Sequence, residues 1–352
     1  MATAEAPVRT PVSAGSASVD RPTRLDMPEA TQPVQIEWGY LVNIVAVHAL
    51  SLLAFVPGIF SWWGLLLAFV CHHIHGLLGI TLCYHRILTH QGLVIPKPLE
   101  HFFALLGVCC LQDTPARWVA VHRLHHRHSD RQPDPHSPLV NFFWAHVGWV
   151  LVLHRGHSRL SFFEQYARDI LRDPFYFRLE RNLAWFWVYW LHALVYFVGG
   201  LLIGLLATGT WAGALQIGAI ALVWGVFVRT VLVWHVTWAV NSVTHIAGYR
   251  NYETGDDSKN HWLVGVLAHG EGWHNNHHAD QRAAAHGHRW WEIDSTWAVV
   301  RLLEALGLAK NVVRPRTWRQ RLSATDPAES FESAIPSESA PEPAPLSGVH
   351  PS

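Results

Sequence analysis

The sequence predicts an all-α integral membrane protein, with four transmembrane helices in two hairpins and a histidine-rich helical cap on one side. Three observations predict it. Stretches at about 40–56, 62–84, 183–206 and 211–236 are mostly apolar over the roughly 20 residues that a spanning helix needs. The connections at 57–61 and 207–210 are too short for anything but tight turns, so the stretches pair into hairpins. Histidine numbers 26, as many as all Lys and Arg together, and its clusters fall at the ends of the apolar stretches.

Composition agrees. Half of the 352 residues are apolar, 15% are charged and 19 are Trp, a mixture suited to a chain partly solvated by lipid with aromatic side chains at the interface. The formal charge is zero and the basic residues are dispersed, so no nucleic-acid partner is indicated. Cys71, Cys83, Cys109 and Cys110 form no C-x-x-C or haem-attachment pattern and read as small buried hydrophobes.

Residues 1–36, rich in Ala, Pro, Ser and Thr and without an apolar core, read as a disordered N-terminal arm rather than a signal peptide. The membrane domain then runs over 37–322. The Pro57-Gly58 turn separates the first two spans. Between the hairpins, 99–111 and 142–153 are apolar but too short to cross, and are expected to be re-entrant or interfacial helices. The final 323–352, rich in Pro, Ser, Glu and Ala, reads as a disordered tail. The two tight connections carry no Lys or Arg, whereas the arm, the segment from Arg86 to Arg181 and the region from Arg250 onward carry every basic residue except Arg229. By the positive-inside rule both termini and the cap (85–182 and 237–322) are cytoplasmic, as in a bacterial inner membrane protein.

Four histidine constellations sit in that cap: His85-Arg86-Ile87-Leu88-Thr89-His90, His122-Arg123-Leu124-His125-His126, Asn241-Ser242-Val243-Thr244-His245 and His274-Asn275-Asn276-His277-His278. Residues three and four apart share a helix face, so each H-x-x-H-H can converge on a metal, and Asn241 lies one turn from His245. His85 and His90 lie about 140 degrees apart in a regular helix, so either the helix distorts or the two address different ions. A lone histidine is ordinarily a surface or hydrogen-bonded core residue; four such groups on one side of a membrane read as a metal site. Nine imidazoles exceed the coordination of one ion, which implies two. Zinc has no redox chemistry, and a redox pair facing lipid suggests oxygen chemistry on an unactivated C–H bond, for which iron is the natural choice. Asp113, Asp130, Asp134, Glu271 and Asp294 are candidates to orient the rings from outside.

The three boxes, in this order and with a hairpin between the second and third, resemble the membrane fatty acid desaturase family, particularly its delta-9 group. The likeness covers about 76–314 and includes Gly79-Ile80-Thr81-Leu82, Asp134-Pro135-His136, His146-Val147-Gly148-Trp149, Trp238-Ala239-Val240-Asn241-Ser242, Trp290-Trp291-Glu292-Ile293-Asp294 and Gly307-Leu308. It implies a cytoplasmic cap holding a di-iron site, with two irons on His85, His90, His122, His125, His126, His245, His274, His277 and His278, and Asn241 contributing through a water. It also implies dioxygen as co-substrate and a cis double bond placed in a long acyl chain, at the ninth carbon. Where animal acyl-CoA enzymes carry Arg-Asp before the second box, this chain has Ala120 and Val121, closer to bacterial and cyanobacterial acyl-lipid enzymes. The acyl carrier is therefore CoA, a carrier protein or a glycerolipid. No His-Pro-Gly-Gly signature of a fused b-type cytochrome is present, so electrons are expected from a separate ferredoxin or cytochrome with its reductase.

Two rivals share some of these features: a histidine-box hydroxylase or alkane monooxygenase, and a membrane metal transporter or sensor. The latter predicts histidines along a pore rather than at one set of helix ends. His72, His73 and His75, inside the second span, read as bonds between helices. Arg229, a charge in the fourth span, is expected to snorkel to the cytoplasmic face or anchor an acyl-linked head group. His286 and His288 read as surface loop residues, and Trp62, Trp63, Trp185, Trp187 and Trp190 as interface anchors.

Overall fold

The computed structural model describes residues 22–316. The chain divides after Pro315, and every described residue except Arg316 belongs to the first unit. The tail expected at 323–352 lies outside the described residues.

Four helices are long and apolar enough to cross a membrane: α1 (Trp38–Phe55), α2 (Trp62–Thr89), α5 (Ala184–Thr208) and α6 (Trp211–Ile246). The cap comprises α3 (Lys97–Val108), α4 (Pro115–His128), α7 (Trp262–Leu267), α8 (His274–Ala279) and α9 (Ser295–Ala305), with short helices between α4 and α5. Among the described residues there are only isolated β-bridges and no strand. The membrane helices α2 and α6 outrun the expected spans: at about 1.5 Å per residue, the 36 residues of α6 exceed the hydrocarbon thickness of about 30 Å. Their surplus turns rise into the cap and carry His85 and His245.

Lipid supplies no hydrophobic drive between helices, so close backbone approach does the packing. Gly200 and Gly204 of α5 meet Ala214, Gly218 and Ala221 of α6; a Cβ at Gly200 would lie 2.6 Å from the Ala221 Cβ. In the same way α2 crosses α3 with Gly79 against Gly107, where a Cβ would come within 2.3 Å of the Gly107 nitrogen.

The end of α3 is fastened to α6 by Arg229. Its Nη1 donates to the Cys109 carbonyl at 2.7 Å, its Nε to the Gly225 carbonyl at 3.2 Å, and its Nη2 faces His192 Nε2 at 3.2 Å. This corrects the expectation for Arg229: it is fully buried, and it neither snorkels nor reaches a head group. A guanidinium satisfies three acceptors at once where an unpaired charge in lipid would be costly. Trp234 Nε1 adds a bond to the Cys110 carbonyl at 2.9 Å. His72 bonds across to the Leu267 carbonyl at 3.0 Å, while His73 and His75 bond back to Phe69 and Cys71 on their own helix. All four cysteines are free and buried.

Of the expected N-terminal arm, residues 1–21 lie outside the described residues, and 22–36 are ordered against the cap. Residues 22–36 carry a one-turn helix, Glu29–Thr31, and pair by backbone hydrogen bonds with the cap: Leu25 with Leu139, Ala30 with Arg155 and Gln35 with Leu153. Its composition lacks an apolar core, but the backbone of 139–155 supplies partners that composition does not reveal.

Replacing Arg229 with Lys removes the fork that bridges Cys109, Gly225 and His192. Arg229→Lys is expected to destabilise the protein by about 1–3 kcal/mol, the usual cost of buried groups left unpaired, read as a lowered apparent Tm in detergent.

Candidate metal centre

Each cluster reaches the centre because its element ends there. His85 lies on α2 and His90 caps its end, His122, His125 and His126 lie on α4, His245 on α6, and His274, His277 and His278 on α8. From His73 to Thr89, α2 widens so that hydrogen bonds close five residues apart, as in the His90 N to His85 O bond of 3.1 Å. That widening stacks residues i and i+5, and it resolves the spacing of His85 and His90: the helix distorts, and both face one point.

The nine imidazoles divide into two groups. His85, His90, His122, His126 and His277 each bring a ring nitrogen to within 4.8 Å of the others, and so do His125, His245, His274 and His278. In the first group His122 and His126 approach at 2.9 Å, His126 and His277 at 2.9 Å, and His85 and His277 at 3.1 Å, all through Nε2. In the second, His274 and His278 approach Nε2 to Nε2 at 3.0 Å. Asn241, half-buried, lies one turn before His245 on α6.

Carboxylates fix the rings from outside. His85 Nδ1 donates to Glu271 at 2.5 Å, His125 Nδ1 to Asp134 at 3.0 Å, His245 Nδ1 to Asp130 at 2.8 Å and His278 Nδ1 to Asp256 at 2.6 Å. Because a carboxylate only accepts, each of these rings directs its Nδ1 proton outward and turns its Nε2 inward. Both nitrogens of His90 and the Nε2 atoms of His125 and His245 are buried with no hydrogen-bond partner. Buried polar atoms are almost always satisfied, so these orphaned imidazole nitrogens, within a cluster drawn from four helices, fit a pair of metal ions.

Protonation agrees with that fit. Burial, reinforced by neighbouring imidazoles, holds His122, His126, His274 and His277 well below the usual histidine range. Neutral imidazole is the form that binds metal. Burial alone would raise the carboxyl of Glu271, but His286, His85 and Arg86 outweigh it and keep the group ionised, as His278 does for Asp256.

Of the expected orienting acids, Asp130, Asp134 and Glu271 each meet a box histidine. Asp294 does not: it pairs with Arg86 at 2.9 Å, accepts from the His286 backbone and caps α9 through the Trp297 amide. Asp113 pairs with Tyr40 and Arg117 away from the centre. Three contributors were missed. Asp256 sits in a loop with no periodicity to mark it. Arg86, inside the first box, is buried between Glu271, Asp294 and the Ala284 carbonyl. His286 is fully buried, its Nδ1 3.2 Å from Glu271 and its ring 4.4 Å from that of His277, which corrects its reading as a surface residue. The run Ala283-Ala284-Ala285 before it, buried throughout, was the available signal. Gly270 is obligatory here: its φ is +108°, and a Cβ would lie 2.4 Å from Asp294 Oδ1.

A family model for fatty acid desaturase matches residues 28–311. The chain is 44% identical over 283 residues to the sn-1 stearoyl-lipid 9-desaturase of Anabaena variabilis, an alignment covering 80% of this chain and 96% of that one. It is 40% identical over 287 residues to the sn-2 palmitoyl-lipid 9-desaturase of Nostoc sp. (strain 36), covering 81% and 93%. It is 39% identical over 282 residues to an acyl-CoA C20 Delta5-desaturase of Anemone leveillei, covering 80% and 83%.

Two outcomes are expected. Glu271→Gln and Asp256→Asn each remove one orienting charge, from the five-histidine and the four-histidine group respectively. Each should weaken one of two bound ions by about 10–100-fold, so that dialysis against graded chelator leaves one ion per chain. In the metal-free protein, folded imidazoles with lowered pKa stay neutral while unfolded histidines protonate near 6.5. The unfolded state then binds more protons, so stability falls as pH drops below that value, by about 1.4 kcal/mol per unit for each such ring. Apparent Tm of the stripped protein should decline from about pH 7.5 to 5.5.

Proposed function

The chain belongs to the fatty acid desaturase family and desaturates fatty acyl chains, and from that premise we propose that it uses two irons, dioxygen and an external electron donor to place a cis double bond at the ninth carbon of a glycerolipid-linked acyl chain. The observation that carries this reading is the division of nine imidazoles, seven buried and two half-buried, into groups of five and four whose ring nitrogens converge. His85, His90, His122, His126 and His277 would hold one iron, and His125, His245, His274 and His278 the other, with Asn241 acting through a water. When bound, the irons supply the reduction of dioxygen that takes one hydrogen from each of two adjacent methylenes.

The protein's share is position. Neighbouring methylenes of a long chain scarcely differ in reactivity, so the site of desaturation is set by where the fold holds the chain. Glu271, Asp134, Asp130 and Asp256 keep the rings aimed, and burial keeps water from the centre. A glycerolipid carrier is favoured by the named substrates of the cyanobacterial relatives. It is favoured also by Ala120 and Val121, buried apolar residues that offer nothing to a CoA phosphate. The distribution of basic residues supports a cytoplasmic cap and cytoplasmic termini. Electrons then arrive from a ferredoxin or a b-type cytochrome with its reductase.

Expression in a host lacking monounsaturated fatty acids, followed by gas chromatography of its lipids, should reveal cis-9 products. His125→Ala, made at comparable protein levels, should abolish them. Hydroxylated acyl chains in place of alkenes would refute desaturation, and products confined to the CoA pool would refute the glycerolipid carrier.

A further inference from the structure

The segment that leads into the third histidine box belongs by sequence to the cytoplasmic cap, yet it touches α2 far below the cap. The His72 ring donates to the Leu267 carbonyl at 3.0 Å, and the His269 ring lies 4.8 Å from the rings of both His72 and His73. His72 is ten residues along a helix that starts with two highly exposed tryptophans, Trp62 and Trp63, at the tight turn between spans. At 1.5 Å per residue, that places it about 15 Å from the far interface, roughly half of the hydrocarbon thickness.

Its surface matches that depth. Trp262, Leu263, Val266 and Leu267 of α7 are 66%, 44%, 47% and 46% exposed, and their i, i+1, i+4, i+5 spacing puts them on one face. On α2, Phe69, Val70 and Ile74 are likewise exposed, within three residues of the His72 that bonds to Leu267. No Asp, Glu, Lys or Arg occurs from 260 to 270. Backbone in lipid must be internally bonded, and here it is: His261 N to Gly272 O at 2.8 Å, Ala268 N to Val264 O at 2.8 Å, Gly270 N to Gly265 O at 2.7 Å, and the Leu267 carbonyl to His72.

We propose that α7 is a re-entrant element seated among the lipid acyl chains of the leaflet next to the metal centre, with Trp262, Leu263, Val266 and Leu267 facing lipid. The third histidine box is then delivered from within the membrane. His274 lies seven residues beyond Leu267, and a short helix bound to α2 at one end and to the centre at the other fixes the height of the metals above the bilayer. This proposal rests on the four-span fold and is independent of the reaction assigned above.

The test is a bimane fluorophore on Val266→Cys in the full-length, metal-loaded protein in lipid nanodiscs. The four native cysteines are buried, so labelling is directed to 266. Doxyl-labelled lipids should remove most of the emission and aqueous iodide almost none, whereas Glu253→Cys, on an exposed cap residue, should respond the opposite way. Quenching at 266 by iodide would overturn the proposal by placing α7 in water. Protection from both quenchers, relieved on dilution with excess lipid, would overturn it by placing a second copy there. Leu263→Cys on the same face gives an independent reading if the first variant loses its metal.

Discussion

Neutral imidazole nitrogens pointing inward, away from water and away from any donor, are the condition that the rest of this fold satisfies. Such nitrogens are costly in isolation, and four separate chain segments have to bring nine of the rings together without letting those nitrogens find hydrogen-bond partners elsewhere. The carboxylates of Glu271, Asp130, Asp134 and Asp256 meet that condition by occupying the Nδ1 proton of four rings. Helices that outrun the bilayer supply the reach, and the widened turns of α2 supply the angle. Arg229 and the Gly79–Gly107 contact hold α3 under the assembly, so even features buried in the membrane bear on the centre.

Much of this was legible from residue order alone. The spans follow from hydropathy, and the box histidines follow from spacing, because an α-helical repeat of three and four places them on one face whatever the surrounding fold. What stayed hidden depends on tertiary contact. His85 and His90 appear misaligned until the helix widens, and no local pattern forces that widening. Asp256 and His286 lie in irregular loops whose aim is set by distant partners, His278 for the one and Glu271 for the other. Arg229 reads as a charge in search of the interface or a head group because the Cys109 carbonyl that receives it is 120 residues away.

The arm at 22–36 teaches a related point about order. Its composition is that of a disordered segment, yet backbone amides and carbonyls, which every residue carries, are enough to bind it to 139–155. Low apolar content predicts that a segment cannot fold by itself; it says nothing of whether a preformed edge will hold it.

The four orienting carboxylates have an electrical consequence as well as a geometric one. Imidazole brings no charge, so whatever charge two cations introduce has to be met by the surroundings. Arg86 is offset by Asp294, which leaves four acids, one beside each of four rings, as a surround whose charge would balance that of two divalent cations. In a medium of low permittivity such a surround favours cations at the centre and disfavours anions far more than the same charges would in water.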